Sequence, residues 1–258
     1  MKPHGPFCPL TGGFLKPRPT GVDHYLLNLP PNLPEGIFII ATVRRGVKLP
    51  LRIECDQDDI EIEHDRPENV HDIDEFLESR VSRPKIRKYI HARKLGEDAF
   101  VELMREKSEG NFMYLRYVLP EIEEGTYEDL DLKKLPVGLQ NYYEDHWQRM
   151  GMMAKPRPDA KIKIVYVLSE ICEPVSRQLI VDFADESEVL VQEVLDEWAQ
   201  FLHRHAVDGE TRFSVYHDSF RDFLNRQDIV QAAGVSRPDI NTLILDKLLS
   251  LYDEVEEV

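Results

Sequence analysis

Two side chains in this sequence stand where a phosphate or another anion could bind. Arg44 follows the apolar run 37–43, and the carboxyl ends of strands are where open α/β sheets bind ligands. His217 follows a second predicted strand and opens a helix, where an imidazole can donate to a phosphate oxygen and titrates near neutral pH. A solvated arginine beside Arg45 and a histidine that only caps its own helix explain the same residues without a ligand.

Metal and nucleophile chemistry find less support. His203 and His205 alternate on a predicted strand and therefore share a face, but a histidine pair without a third ligand is more often a surface feature than a zinc site. The three cysteines, Cys8, Cys55 and Cys172, are spaced too widely for a C-x-x-C motif, and Cys172 is expected to be buried in an apolar helix. We predict no catalytic residue and no metal site.

The composition describes a soluble globular chain. Its 258 residues are 42% apolar and 31% charged, which suits one large or two modest domains. The formal charge of −16 argues against binding to nucleic acid, which takes its affinity from Lys and Arg. No apolar run approaches the ~18 residues needed to cross a bilayer, so we expect no membrane partner and a reducing, cytoplasmic setting.

The N-terminal part divides into three segments. Residues 1–34 hold eight of the 17 prolines and are interpreted as a loose leader. Segment 35–65 contains the β-branched run 37–43, which predicts a strand covered on both faces in a parallel sheet, and two shorter strand-like pieces, 51–55 and 60–63.

From residue 66 to about 155 the pattern is helical. Apolar residues recur at three- and four-residue steps, at Val70, Ile73, Phe76, Leu77 and Val81, and again at Phe100, Leu103 and Met104. A further helix enters at Gly110-Asn111 and ends at Gly125, and another covers residues 140–150. We place a domain boundary near residue 155, in a Lys-Pro-Arg-Pro linker.

Segment 156–226 predicts a winged-helix domain, because three helices are followed by a hairpin. Asp208-Gly209 is the strongest hairpin signal in the chain. Residues 227–258 form C-terminal helices with an acidic end. The stretch between Gln178 and His203, which includes the third helix of the winged-helix domain, contains no Lys or Arg, so the face of that helix would be repelled by DNA. Its seven acids are Asp182, Asp185, Glu186, Glu188, Glu193, Asp196 and Glu197.

Four segments, in order, resemble the STAND class of P-loop NTPases, particularly its NACHT-like bacterial members. Residues 33–44 resemble the strand that carries the first sensor, and 106–114 resemble the entry to the lid helix. Residues 135–143 resemble the L-P-x-G-L-x-x-Y-Y turn of that class, and 215–224 resemble its winged-helix element Y-H-x-S-F-R-D-F-L.

The resemblance implies roles for four residues in nucleotide binding. Arg44 would read the γ-phosphate, Gly110 and Asn111 would approach the adenine, and His217 would contact the β-phosphate of ADP in a closed resting state. The chain departs from the class because it contains no Gly-Lys dipeptide, so the P-loop that cradles phosphates is missing, as is the acidic strand end that holds Mg²⁺.

The expected fold is therefore mostly α with a short β portion: a remnant α/β sensor strand, a helical lid bundle, and a winged-helix domain. The expected function is a non-catalytic regulatory portion of a signal-transduction ATPase, with no cofactor of its own. ADP or ATP would bind only with a partner, a P-loop nucleotide-binding half or another protein. Two alternatives stay open, an acidic winged-helix adaptor with no nucleotide role and a hydrolase with an unrecognised site. The oligomeric state is not indicated.

Overall fold

The computed structural model describes residues 32–40, 42, 54, 56, 58, 60–63, 65–127 and 134–256, with side chains described up to residue 250. Contacts divide the chain into two units, residues 1–61 and residues 62–258. Arg44 and the leader up to residue 31 lie outside the described residues, as does most of the strand-like piece 51–55.

In the first unit, residues 37–40 do not form the predicted strand. They follow a turn in which the Ile37 N–H donates to the Pro34 carbonyl, and they have no regular secondary structure. Phe38 is 88% exposed and Ile40 is 84% exposed. A continuous apolar run forms a strand only where neighbouring strands and covering helices bury both of its faces, and these side chains remain in solvent. Residues 60–63 are likewise irregular, with Ile60 and Ile62 exposed.

The second unit begins with five helices: α1 Pro67–Val81, α2 Pro84–Ala92, α3 Glu97–Ser108, α4 Phe112–Glu124 and α5 Gly138–Arg149. In α1, Ile73, Leu77 and Val81 are buried at a four-residue spacing, which confirms the predicted amphipathic face. Helix α4 ends at Gly125, whose φ of +86° is left-handed, as predicted for a glycine C-cap.

The remaining elements are α6 Asp159–Glu170, β1 Val175–Ser176, α7 Arg177–Ala184, α8 Glu188–Glu197, β2 Leu202–Val207, β3 Glu210–Val215, α9 Asp218–Leu224, α10 Gln227–Ala233 and α11 Arg237–Glu256. A short 3₁₀ turn, Ala199–Phe201, joins α8 to β2. Helix α6 ends at Glu170, so Cys172 lies beyond it and is exposed; the prediction that this cysteine is buried in a helix was wrong.

The three described strands form one antiparallel sheet in the order β1-β3-β2. Val207 pairs with Glu210 across a two-residue turn, in which Asp208 has φ +51° and Gly209 has φ +82°. Two left-handed residues are typical of a type I′ hairpin turn. The hairpin predicted from Asp208-Gly209 is confirmed.

The core of the second unit is aromatic and joins its first five helices to the elements that follow. The rings of Tyr117 and Tyr142 stack 5.5 Å apart, and Tyr143 contacts Phe220 at 5.4 Å. Phe220, Phe223 and Leu224 are buried, as predicted. The fold over the described residues is mostly α with a short β portion, as predicted, while the domain boundary near residue 155 stays a prediction.

Candidate functional site

The Gly110-Asn111 pair forms the entry to α4. The Asn111 side chain accepts a hydrogen bond from the Met113 N–H at 2.9 Å and so caps the helix. Gly110 has φ +74°, and its carbonyl accepts from Asn69 Nδ2 at 3.0 Å, which ties this entry to α1. These contacts are those of a helix N-terminus, and the contact with adenine stays a prediction.

His217 is the N-cap of α9. Its Nδ1 accepts from the Ser219 N–H at 3.2 Å and lies 2.7 Å from Ser219 Oγ. Because Nδ1 needs its lone pair to accept this N–H, the neutral ring carries its proton on Nε2. An Nε2–H group is the donor that a phosphate oxygen would require.

The turn that carries His217 packs against α4 and α5. The guanidinium of Arg116 lies 4.2 Å from the centre of the Tyr216 ring, a cation–π distance. The Tyr143 hydroxyl lies 2.8 Å from Ser219 Oγ. Two of the predicted site positions are thus connected to α4, Asn111 at its N-cap and His217 through the neighbouring Tyr216.

A cluster that sequence reasoning missed joins α4, α5 and the 3₁₀ turn; we call it the polar junction, and it consists of Glu121, Tyr142, His146, Arg149 and Gln200. Arg149 Nη2 donates to both oxygens of the Glu121 carboxylate, at 3.1 and 3.2 Å. Gln200 Nε2 donates to His146 Nδ1 at 2.9 Å, and the Tyr142 hydroxyl donates to Gln200 Oε1 at 3.0 Å. Glu121 is 7% exposed and His146 is 3% exposed, so these contacts are shielded from water.

Burial fixes the protonation states in the polar junction. Desolvation, and then the charge of Arg149, lowers the pKa of His146 to about 3. Desolvation, and then the Glu121 carboxylate, raises the pKa of Tyr142 well above its ordinary value. Burial alone would lower the pKa of Arg149, but Glu121, Tyr127 and Asp145 together outweigh it and the net shift is upward. Neither His146 nor Tyr142 exchanges a proton near neutral pH, so the junction acts as a connection rather than as an acid–base site.

One signal in the sequence could have revealed part of the polar junction. Tyr142, His146 and Arg149 recur at steps of four and three residues on α5, which places three polar groups on one helix face. Glu121 gives no such signal, because it stands beside Glu123 and Glu124 and resembles part of a solvated face. Its contacts with Arg149 and Gln200 span 28 and 79 residues.

The acids of α8 and of the turn that precedes it are partly neutralised by neighbouring elements. Lys161 contacts Glu197 at 2.6 Å and Lys163 contacts Glu186 at 2.6 Å; both lysines belong to α6. Two further ion pairs are exposed: Arg177–Glu188 at 3.1 Å and Arg204–Asp196 at 3.6 Å. The sequence shows the acid run but not the basic residues that the fold brings to it.

A cavity of about 540 Å³ lies between the α7–α8 turn and α11. Asp182, Asp185, Glu186 and Lys247 contribute its charged lining, and Lys247 Nζ lies 3.5 Å from Asp185. None of the predicted site residues lines this cavity. Among the residues that the structure describes, no group of three His, Cys, Asp or Glu side chains is arranged to hold a metal ion.

Comparison of the chain with models of protein families, with curated proteins and with solved structures finds no match. Within the described part of the chain, no helix has the length and apolar character that crossing a bilayer requires.

Proposed function

We propose that the chain is a non-catalytic regulatory portion of a STAND-like, NACHT-like signal-transduction ATPase. In this proposal the helices α1–α5 are the lid and residues 156–226 are a winged helix, and the two close over ADP that a P-loop partner holds. Arg44, Gly110, Asn111 and His217 are the proposed nucleotide contacts. The chain needs a partner for this role, since its sequence contains no Gly-Lys dipeptide and phosphoryl binding depends on that loop.

The order of elements supports the winged-helix part of the proposal. Helices α6, α7 and α8 are interleaved with β1 and followed by the β2–β3 hairpin. In the sheet order β1-β3-β2, the short strand β1 pairs with β3, the second strand of the hairpin. His217 follows the hairpin and is the N-cap of α9. Its neighbours Tyr216 and Ser219 contact other elements of the fold.

The packing of that turn is the single observation that carries the proposal. Tyr216 lies against Arg116 of α4, and Ser219 lies against Tyr143 of α5. A histidine held between a hairpin and a separate helix pair is placed to respond when those elements move apart. A phosphate that accepted from its Nε2–H would favour the closed arrangement, because ligand bound to one state shifts the population toward it.

The test compares His217→Ala with wild type in the presence of a P-loop nucleotide-binding protein, which is first to be sought among the genes that neighbour this one. We expect release of fluorescent ADP to be roughly ten- to hundred-fold faster, the value of one charge-assisted hydrogen bond of about 1.5–3 kcal/mol. In the chain alone, the same change removes the N-cap of α9 and should cost about 1 kcal/mol or less of stability.

His91→Ala is the matched control, since His91 is an exposed histidine on α2. Unchanged ADP release, together with a clear loss of thermal stability, would show that His217 is structural and would reject its nucleotide role. A chain that by itself bound ADP at micromolar concentration would contradict the need for a partner.

A second candidate function, an acidic adaptor that docks another protein, is favoured by α11. Leu245, Leu248 and Leu249 lie on this helix and are 55%, 47% and 55% exposed. Exposed apolar groups on one helix are typical of a protein-binding surface. Titration with ADP, with and without the P-loop partner, separates the two functions, because the adaptor gains no affinity for nucleotide.

A further inference from the structure

The solvent face of the β2–β3 hairpin carries two histidines in direct contact. The rings of His203 and His205 lie 4.2 Å apart, centre to centre, with an angle of 18° between their planes. Ser214 pairs with His203 across the hairpin, and its Oγ lies 2.9 Å from Nε2 of His205. The spacing in sequence indicates only a shared face, whereas the structure shows two imidazoles stacked at van der Waals distance.

We propose that His203 and His205 form a two-histidine site for a divalent first-row transition-metal ion such as Ni²⁺, Cu²⁺ or Zn²⁺. Imidazole nitrogens are suitable ligands for all three metals. Metal–nitrogen bonds of about 2.0–2.1 Å in tetrahedral geometry hold two ligand nitrogens about 3.3 Å apart. The lone pair of each imidazole lies in the plane of its ring, so the two stacked rings must rotate out of their near-parallel arrangement to bind one ion together. His203 is exposed and His205 half-buried, which leaves both side chains room for that rotation.

Ser214 orients one of the two ligands. A histidine that binds a metal normally donates its other ring N–H to an oxygen. With Nε2–H of His205 donated to Ser214 Oγ, the lone pair for the metal is on Nδ1. The Ser214 hydroxyl can accept this proton, so its contact is compatible with the tautomer that presents Nδ1 to the metal.

The charges around the pair are compatible with a bound cation. Arg212 lies opposite His205 on the same face, and Glu210 neutralises it at 3.1 Å. Arg116 lies beyond the Tyr216 ring, which is 5.9 Å from His203. Arg204 lies on the other face of β2 and contacts Asp196.

The site offers two protein ligands, and no third His, Cys or carboxylate joins them within the described part of the chain. Water therefore completes the coordination shell, and the affinity should be moderate and reversible rather than structural. The site is independent of the nucleotide role proposed above.

The test is calorimetric titration of the full chain with Ni²⁺ alone near pH 7.5, using wild type, His203→Gln and His205→Gln. Removal of either ligand should weaken binding at this site at least about tenfold, since even outer-shell changes cost 10–100-fold in metal affinity. His91→Gln, which changes an exposed histidine on α2, should bind Ni²⁺ as wild type does.

A second measurement distinguishes Ni²⁺ bound at His203 and His205 from Ni²⁺ bound elsewhere in the chain. Mass spectrometry after diethyl pyrocarbonate treatment should show that Ni²⁺ protects His203 and His205 of the wild-type chain but leaves His91 modified. Equal modification of all three with and without Ni²⁺ would overturn the proposal, as would unchanged Ni²⁺ affinity in both variants.

Discussion

At the scale of single residues, Gly138 shows how a backbone position can depend on a distant side chain. It is the first residue of α5 and has φ +75°, a conformation that L side chains rarely adopt. A Cβ at this position would lie 2.1 Å from Oε2 of Glu109. The Glu109 carboxylate therefore occupies the space beside the positive end of α5, where a negative charge is favourable.

We expect Gly138→Ala to cost about 1.5–3 kcal/mol, because the left-handed conformation becomes strained and the carboxylate must move. Gly151 has φ +72° and nothing within 4 Å of its would-be Cβ, so Gly151→Ala should cost only about 1 kcal/mol. Chemical denaturation of both variants measures the difference. In a chain that also carries Glu109→Ala, Gly138→Ala should cost no more than Gly151→Ala does. If Gly138→Ala still cost more, the clash with the Glu109 carboxylate would not be the cause.

At the scale of elements, the polar junction joins helices that are distant in sequence. Glu121 belongs to α4 and Arg149 to α5, while Gln200 comes from the 3₁₀ turn after α8. Loss of one partner would leave a buried charge or amide unpaired, which is expensive away from water. The junction therefore favours one relative placement of these three elements.

The burial of His146 in this junction predicts acid sensitivity. Its pKa is about 3 in the folded chain against 6.5 ordinarily, so the unfolded chain binds a proton below pH 6.5 and the folded chain does not. Stability should therefore fall as pH decreases from 6.5 toward 3 and be unaffected by this group above 6.5. At pH 5.5 the loss relative to pH 7 should be about 1.3 kcal/mol.

Urea unfolding at the two pH values measures this loss for wild type, His146→Gln and His91→Gln. The glutamine at position 146 can keep a polar contact with Gln200 but does not titrate, so this variant should lose about 1.3 kcal/mol less than wild type. His91→Gln should behave as wild type. An equal pH dependence in all three chains would show that His146 is accessible to protons in the folded state.

Sequence reasoning identifies the elements whose signals are local. Helix α4 is predictable because Asn111 and Gly125 mark its ends, and the hairpin because its two turn residues both accept left-handed backbone. Helices α2 and α10 lie in segments that are predicted to be helical, but the sequence does not indicate their bounds, since seven to nine residues give too few turns for a clear apolar period. The run 37–43 was assigned a strand from its composition alone, although strand formation depends on neighbours that composition does not reveal.

The candidate site divides in the same way. The positions of Asn111 and His217 at helix starts follow from the sequence, and the structure gives the bonds that each makes. The polar junction depends on pairs far apart along the chain, and the ring contact of His203 with His205 depends on side-chain rotation. The local sequence pattern indicates only the shared helix face of Tyr142, His146 and Arg149 and the shared strand face of the two histidines. Arg44 lies outside the described residues, so its role stays a prediction.

At the scale of the whole molecule, the acid excess governs what can approach the surface. The formal charge is −16. The ion pairs of α8 neutralise that helix only in part: among the residues that the structure describes, Glu197 pairs with Lys161, whereas Glu193 makes no ion pair with a basic residue. A helix of this charge is repelled by phosphates, since recognition helices lie among them.

The chain should therefore show no appreciable binding to duplex DNA at physiological salt and micromolar protein. An electrophoretic mobility shift or fluorescence anisotropy titration, repeated at low and physiological salt, checks this. A shift that grew steadily as salt was lowered and appeared at micromolar protein would reveal a basic surface and contradict the prediction.

The contact between Trp147 and Trp198 provides an intrinsic fluorescence probe of the fold. These are the chain's two tryptophans; one belongs to α5 and the other ends α8, and their rings lie 5.7 Å apart. Both are almost fully buried, so their emission reports on the contact between α5 and the end of α8. If these helices separate, both rings become exposed to water and the emission should shift to longer wavelength. Tryptophan fluorescence does not report on residues 1–61, because they contain no tryptophan. Fluorescence-monitored unfolding therefore measures the larger unit alone, and a probe attached within the first 61 residues is needed to follow the other.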